Sequence, residues 1–128
     1  MRFGVPCVNA AILVATAASA EPARCPHTDA DACEEWKVEQ LDQELAAMMT
    51  RPSPWIDRLP VALRDDARTA LQQAQQQWIA FREAECRREL TWSFGTARTK
   101  RGFLAWCRHN MTLHRRDRLQ ELYRFTSE

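Results

Sequence analysis

The sequence predicts an all-α fold: a small three-helix antiparallel bundle stapled by two disulfides. Three observations carry that expectation. Apolar residues recur at spacings of three and four through most of the chain after residue 20, the period of an amphipathic helix. Every proline lies at or before Pro60, so the second half lacks the strongest helix breaker. Beyond residue 20 the cysteines form an even set, Cys25, Cys33, Cys86 and Cys107, and no segment alternates as a strand.

The N-terminus reads as a leader. Arg2 supplies a positive start, and Val8 to Ala18 is an apolar run interrupted only by Asn9 and Thr16. Ala18-Ser19-Ala20 then places small residues where a signal peptidase reads them, the pattern of a secretory signal peptide. The run is well short of the ~20 apolar residues that span a bilayer. Cys7 precedes the apolar stretch instead of closing it, which argues against a lipid anchor. The expected organisation is a signal peptide over 1–20 and one domain over 21–128, periplasmic or secreted, with no stable membrane anchor.

Export changes how the cysteines read. In an oxidising compartment four cysteines imply a disulfide framework, and four allow three connectivities. The spacings favour Cys25–Cys33 as a local clasp and Cys86–Cys107 as a link between two helices.

The first helix is expected over roughly 32–49, with Val38, Leu41, Leu45 and Met48 on one stripe and Asp29 or Asp31 as cap. Thr50-Arg51-Pro52-Ser53-Pro54 ends it, and Trp55 and Ile56 in the linker are expected to fold back onto the core. The second helix runs over roughly 60–90 and opens on a proline. Leu63, Ala67, Leu71, Ala74, Trp78, Phe81 and Glu85 form its expected inner face. The third occupies roughly 99–125, with Leu104, Cys107, Met111, Leu119, Leu122 and Phe125 inward.

Charge balances overall, 18 Lys and Arg against 17 Asp and Glu, a net +1. It does not balance along the chain. Residues 21–66 are acidic and 82–124 arginine-rich. The near-neutral total removes the long-range attraction that nucleic acid binding uses, and export argues against it too. The two halves are expected to answer each other, within the fold or across a dimer.

The usual catalytic constellations are missing. There is no GxSxG, phosphate loop, GxGxxG or CxxCH. His27, His109 and His114 lack metal-ligand spacing, and a cysteine pair beside His27 reads as a disulfide. The expectation is a protein that is no enzyme and holds no metal or cofactor.

One stretch is more specific. It runs Leu71-Gln-Gln-Ala-Gln-Gln-Gln-Trp78-Ile-Ala-Phe81-Arg82-Glu83-Ala84-Glu85-Cys86, followed by Cys107 and then Thr112-Leu-His-Arg115-Arg-Asp-Arg-Leu119. It resembles the LprI-like lysozyme inhibitor family, whose hallmark is an AQ…W…aromatic-R-(D/E)-A-E-C helix, a later cysteine, and T-x-x-R-x-x-x-L. Trp78, Phe81, Arg82, Glu85, Thr112, Arg115 and Leu119 fall on that motif. The pattern departs in two places: a double glycine common before the third helix is reduced to Gly95, and an aromatic often found after the first helix's leucines is Met48 or Met49. Read from spacing alone, the motif is structural. Trp78 and Phe81 are expected to form the largest core contact, with Arg82 pairing Glu85 and Glu85 also able to meet Arg115.

The resemblance implies a protein that binds a lysozyme-type partner and inhibits it. Lysozymes are generally cationic, so Asp29, Asp31, Glu34 and Glu35 are candidate steering residues. Candidate blockers of the enzyme's cleft lie in 92–100, including Arg98 and Lys100. The alternative is a non-enzymatic adaptor that holds another envelope protein or an anionic polymer through the arginine-rich third helix. A weaker third possibility is self-association through the opposed charges.

Overall fold

The computed structural model describes residues 23–92 and 99–125. They form four helices: α1 (Ala30–Met48), a single turn α2 (Pro54–Asp57), α3 (Val61–Trp92) and α4 (Lys100–Tyr123). The fold is all-α, with disulfides Cys25–Cys33 and Cys86–Cys107, the pairing favoured by the spacings. The leader expected over 1–20 and the candidate residue Arg98 lie outside the described residues.

α1 starts at Ala30 because Asp29 caps it, its carboxylate accepting the Ala32 N–H at 2.7 Å. Val38, Leu41, Leu45 and Met48 are its buried stripe, as the period predicts. After the Pro52 break, Ile56 is buried in the core. Ser53 is buried as well, and its hydroxyl donates to the Tyr123 carbonyl at 3.3 Å, tying the linker to the end of α4. Trp55 rests against Tyr123, ring centroids 5.0 Å apart, with its outer side in solvent.

α3 exists as expected but presents a different face. Its buried residues are Leu71, Gln75, Arg82 and Cys86. Leu63, Ala74 and Phe81 are exposed, and Phe81 keeps 55% of its surface. The expected Trp78–Phe81 core contact is therefore overturned. The true inner line, 71–75–78–82–86, holds a glutamine and an arginine, which hydropathy assigns to solvent. They are inside because other helices supply partners for their polar atoms, the condition under which polar groups are buried.

α4 opens on Thr99, whose hydroxyl accepts the Gly102 N–H at 2.9 Å. Phe103, Ala105, Cys107, Thr112 and Leu119 are buried, whereas Leu122, expected inward, is exposed. Gly102 matters at this end: a Cβ there would overlap the carboxylate of Asp31, which accepts a 2.6 Å hydrogen bond from Thr99. The missing side chain lets the start of α1 lie against the start of α4.

These contacts fix the topology. Asp31 meets Thr99 and Glu44 meets Arg116, so α1 runs parallel to α4. Cys86 meets Cys107 and Gln75 meets Arg115, so α3 runs antiparallel to it. The bundle is up-down-up, with α4 packed along both other long helices. Its apolar interior falls into two clusters. One gathers Leu45, Met48, Met49, Ile56, Leu71 and Leu119; the other, near the α3–α4 connection, gathers Phe103 around the Cys86–Cys107 disulfide. Among the described residues, no helix is long and apolar enough to cross a membrane.

Candidate functional site

Between the two apolar clusters lies a buried polar layer, and most of the motif residues build it. Arg82 reaches from α3 to α1 and α4 at once. One terminal nitrogen donates to Asp42 Oδ1 at 2.6 Å and to Thr112 Oγ1 at 2.7 Å; the other reaches Asp42 Oδ2 at 3.1 Å. Thr112 also donates to the Arg108 carbonyl at 2.6 Å, so its hydroxyl is used both ways. Arg108 in turn grips Glu83 with contacts of 2.6–3.1 Å. Burial raises the Glu83 carboxyl, but the guanidiniums of Arg108 and Arg82 outweigh it and hold the group below its ordinary value.

Trp78 borders this layer. The guanidiniums of Arg82 and Arg115 lie over its ring, 5.4 and 5.6 Å from the centroid, within cation–π range. Arg115 also donates to Gln75 Oε1 at 3.1 Å, and burial draws its guanidinium below the ordinary value. Leu119 completes the lower cluster. Trp78, Arg82, Thr112, Arg115 and Leu119 thus lock three helices together. Phe81 and Glu85 do not join them. Glu85 pairs on the surface with Arg88 at 3.0 and 2.5 Å, in place of the pairs expected with Arg82 and Arg115.

The acidic residues of α1 are engaged with the basic half of the chain. Arg101 holds Glu35 through two hydrogen bonds of 2.7 and 2.6 Å and approaches Asp29 at 3.6 Å. The hydrogen bonds from Arg101 keep the Glu35 carboxyl low. Glu34 lies between Lys37 at 2.7 Å and His109 at 3.1 Å; burial raises its carboxyl, but these two neighbours outweigh it and hold the group below its ordinary value. Arg116 reaches Glu44 at 3.5 Å. The two charged halves therefore answer each other within one molecule. Asp29, Asp31, Glu34 and Glu35 all gather at the end of the bundle where α4 begins. Lys100 sits at that end too, exposed on the first turn of α4.

The same end also carries aromatic residues. Trp92, the last residue of α3, and Trp106 flank Phe103 in an open cleft of about 430 Å³ that Arg88 and Glu89 also line. Sequence reasoning placed Trp92 at the edge of a candidate blocking segment and missed Trp106, because an indole on a helix reads as core. Its position beside Phe103 is the only available signal, since the two share a turn. Among the described residues, no three His, Cys, Asp or Glu side chains come together as a metal site.

Residues 18–119 match the family described as Lysozyme inhibitor LprI. The chain belongs to the LprI lysozyme inhibitor family. No curated protein and no solved structure matches it. The LprI match takes in α1, α2, α3 and α4 as far as Leu119, and therefore the whole polar layer and both flanking surfaces.

Proposed function

We propose that this LprI-family protein is exported to the envelope or beyond, and that it binds lysozyme-type muramidases and inhibits them by covering the cleft. The family match over 18–119 is the observation that carries this reading. The leader-like pattern of residues 1–20 supports export. Asp29, Asp31, Glu34 and Glu35 are the candidate residues for steering the cationic enzyme, and Arg98 and Lys100 the candidate blockers of the enzyme's cleft. Steering of this kind raises the association rate more than the final affinity. The pairs Arg101–Glu35, Arg108–Glu83, Arg116–Glu44 and Arg118–Glu121 engage acids and arginines alike, so the charge pattern gives no specific support to the adaptor reading.

The test is turbidity of a bacterial suspension during lysozyme digestion, with the purified, oxidised protein added. Lysis should slow in proportion to the protein added until the enzyme is saturated. Unchanged lysis by several muramidase types at stoichiometric excess would sink the reading.

A further inference from the structure

α3 carries a second helical stripe besides the one that meets the bundle. Leu63, Ala67, Ala70 and Ala74 continue into Gln77, Phe81 and Ala84 at alternating steps of four and three. That is the seven-residue repeat that keeps one side of a helix in line over its whole length. Ala67 is half-buried and the others stand in solvent; Leu63 keeps 50% of its surface and Phe81 55%. The contacts of α3 with α1 and α4 run through Gln75, Arg82 and Cys86, on another side of the helix. A line with the period and composition of an interior face is thus left outside the bundle.

Such a stripe fits another helix, and the order of its residues says which one. Laid against a second copy of itself running the opposite way, it pairs Phe81 with Ala70, Ala67 with Ala84 and Ala74 with Gln77, each twice over by the two-fold axis. The large ring meets a small residue at each crossing, so the backbones can come close. Arg88, next in the repeat, lays its stem over Leu63 of the second copy. In the same register Asp66 comes beside Arg87 of the second copy. Both are exposed, and neither has an ion-pair partner among the described residues. A parallel arrangement would set Phe81 against Phe81 and leave Asp66 and Arg87 apart.

We propose that the outer face of α3 joins two copies of this protein, packed antiparallel about a two-fold axis beside Ala74 and Gln77. The contact is about 38 Å long from Leu63 to Arg88, at ~1.5 Å per residue. Alanines make up much of it, so the area buried is at the low end for a specific interface and the dimer dissociates on dilution. The opposed acidic and basic halves of the chain take no part, being paired within one molecule. Because the copies run in opposite directions, the ends where α4 begins point away from each other and both stay open.

The experiment is sedimentation velocity of the purified, oxidised protein over a concentration series reaching the millimolar range. The mass should rise from monomer to dimer. Ala74→Glu sets two carboxylates beside the axis, and Asp66→Arg places arginine opposite arginine. Each should weaken association on the order of tenfold or more. Asp66→Arg combined with Arg87→Asp exchanges the charges and should restore the wild-type association. Val61→Ala is the control: Val61 is 77% exposed but lies on the opposite side of α3 from the stripe by helical spacing, and its loss should change nothing. Thermal melting shows that each variant is folded; all four positions are exposed.

A mass that stays monomeric throughout the series overturns the proposal. Association that Ala74→Glu and Asp66→Arg leave untouched overturns it too, since another surface then joins the copies. If Asp66→Arg weakens association and the exchanged pair does not recover it, the antiparallel register is wrong and the proposal falls. Recovery by the exchanged pair, with Val61→Ala neutral, supports it. None of these outcomes bears on the inhibitor reading, which rests on other residues.

Discussion

Arg82 places a guanidinium where hydropathy alone would put a leucine, and its terminal nitrogens meet Asp42, Thr112 and Glu83. Its Nε is the one buried side-chain nitrogen or oxygen among the described residues without a hydrogen-bond partner. Removing a partner from a buried pair costs more than the pair contributes, because the remaining groups stay desolvated. Arg82→Ala should therefore lower the unfolding free energy by about 3–5 kcal/mol in urea titration. Arg82→Lys should fall between, since it keeps the charge and loses the two-pronged grip on Asp42. A change under ~1 kcal/mol for the alanine variant would show that the layer contributes little, as for an exposed pair. At this scale the sequence misled where polarity and burial part company. Arg82 and Gln75 were legible as helix positions and illegible as interior ones, because their partners come from helices far away in the chain.

Helices were the most readable level. The α1 stripe Val38–Leu41–Leu45–Met48 is buried throughout, since four apolar residues at helical spacing leave only one face to bury. α3 shows the limit of the same logic: Leu63, Ala74 and Phe81 also keep the period, but the line beside theirs carries the polar partners and wins the interior. Cys86–Cys107 was readable from spacing, and its consequence belongs to the α3–α4 pair that it joins. It closes a loop with a sequence separation of 21. On the chain-entropy account this stabilises by about 3 kcal/mol. Cys86→Ser should lower the melting temperature markedly, and the same loss should follow chemical reduction of the wild type. Cys25→Ser should do less, because that clasp spans only 8 residues ahead of and into the first turn of α1.

At the scale of the whole molecule, the unequal halves of the sequence become a set of ion pairs between helices. That much was anticipated from charge segregation; which acid meets which arginine was not, because pairing depends on the parallel run of α1 beside α4. The pairs give stability a pH dependence with a definite sign. Glu34, Glu35 and Glu83 are held below their ordinary value of 4.5, so the native state binds fewer protons than the unfolded chain near that pH. Their contribution is complete above about pH 4.5 and is lost as pH falls through the depressed native values. Melting temperature should thus decline with acidification below about pH 4.5. A melting temperature that holds steady down to pH 3 would contradict this origin. The candidate site was only half legible: the acids and Lys100 at one end, and Trp92 at the edge of a segment, but not the cleft that Trp106 completes.

Three long helices in an up-down-up order put the start of α1 and the end of α4 at opposite ends of the bundle. Asp31, in the first turn of α1, lies beside Thr99, whereas Phe125 lies about 36 Å away along α4, taking ~1.5 Å for each of its 24 residues. Polarity of this kind gives the molecule a front and a back. A handle or reporter fused beyond the end of α4 stands behind the bundle, far from Trp92 and Trp106 at the front.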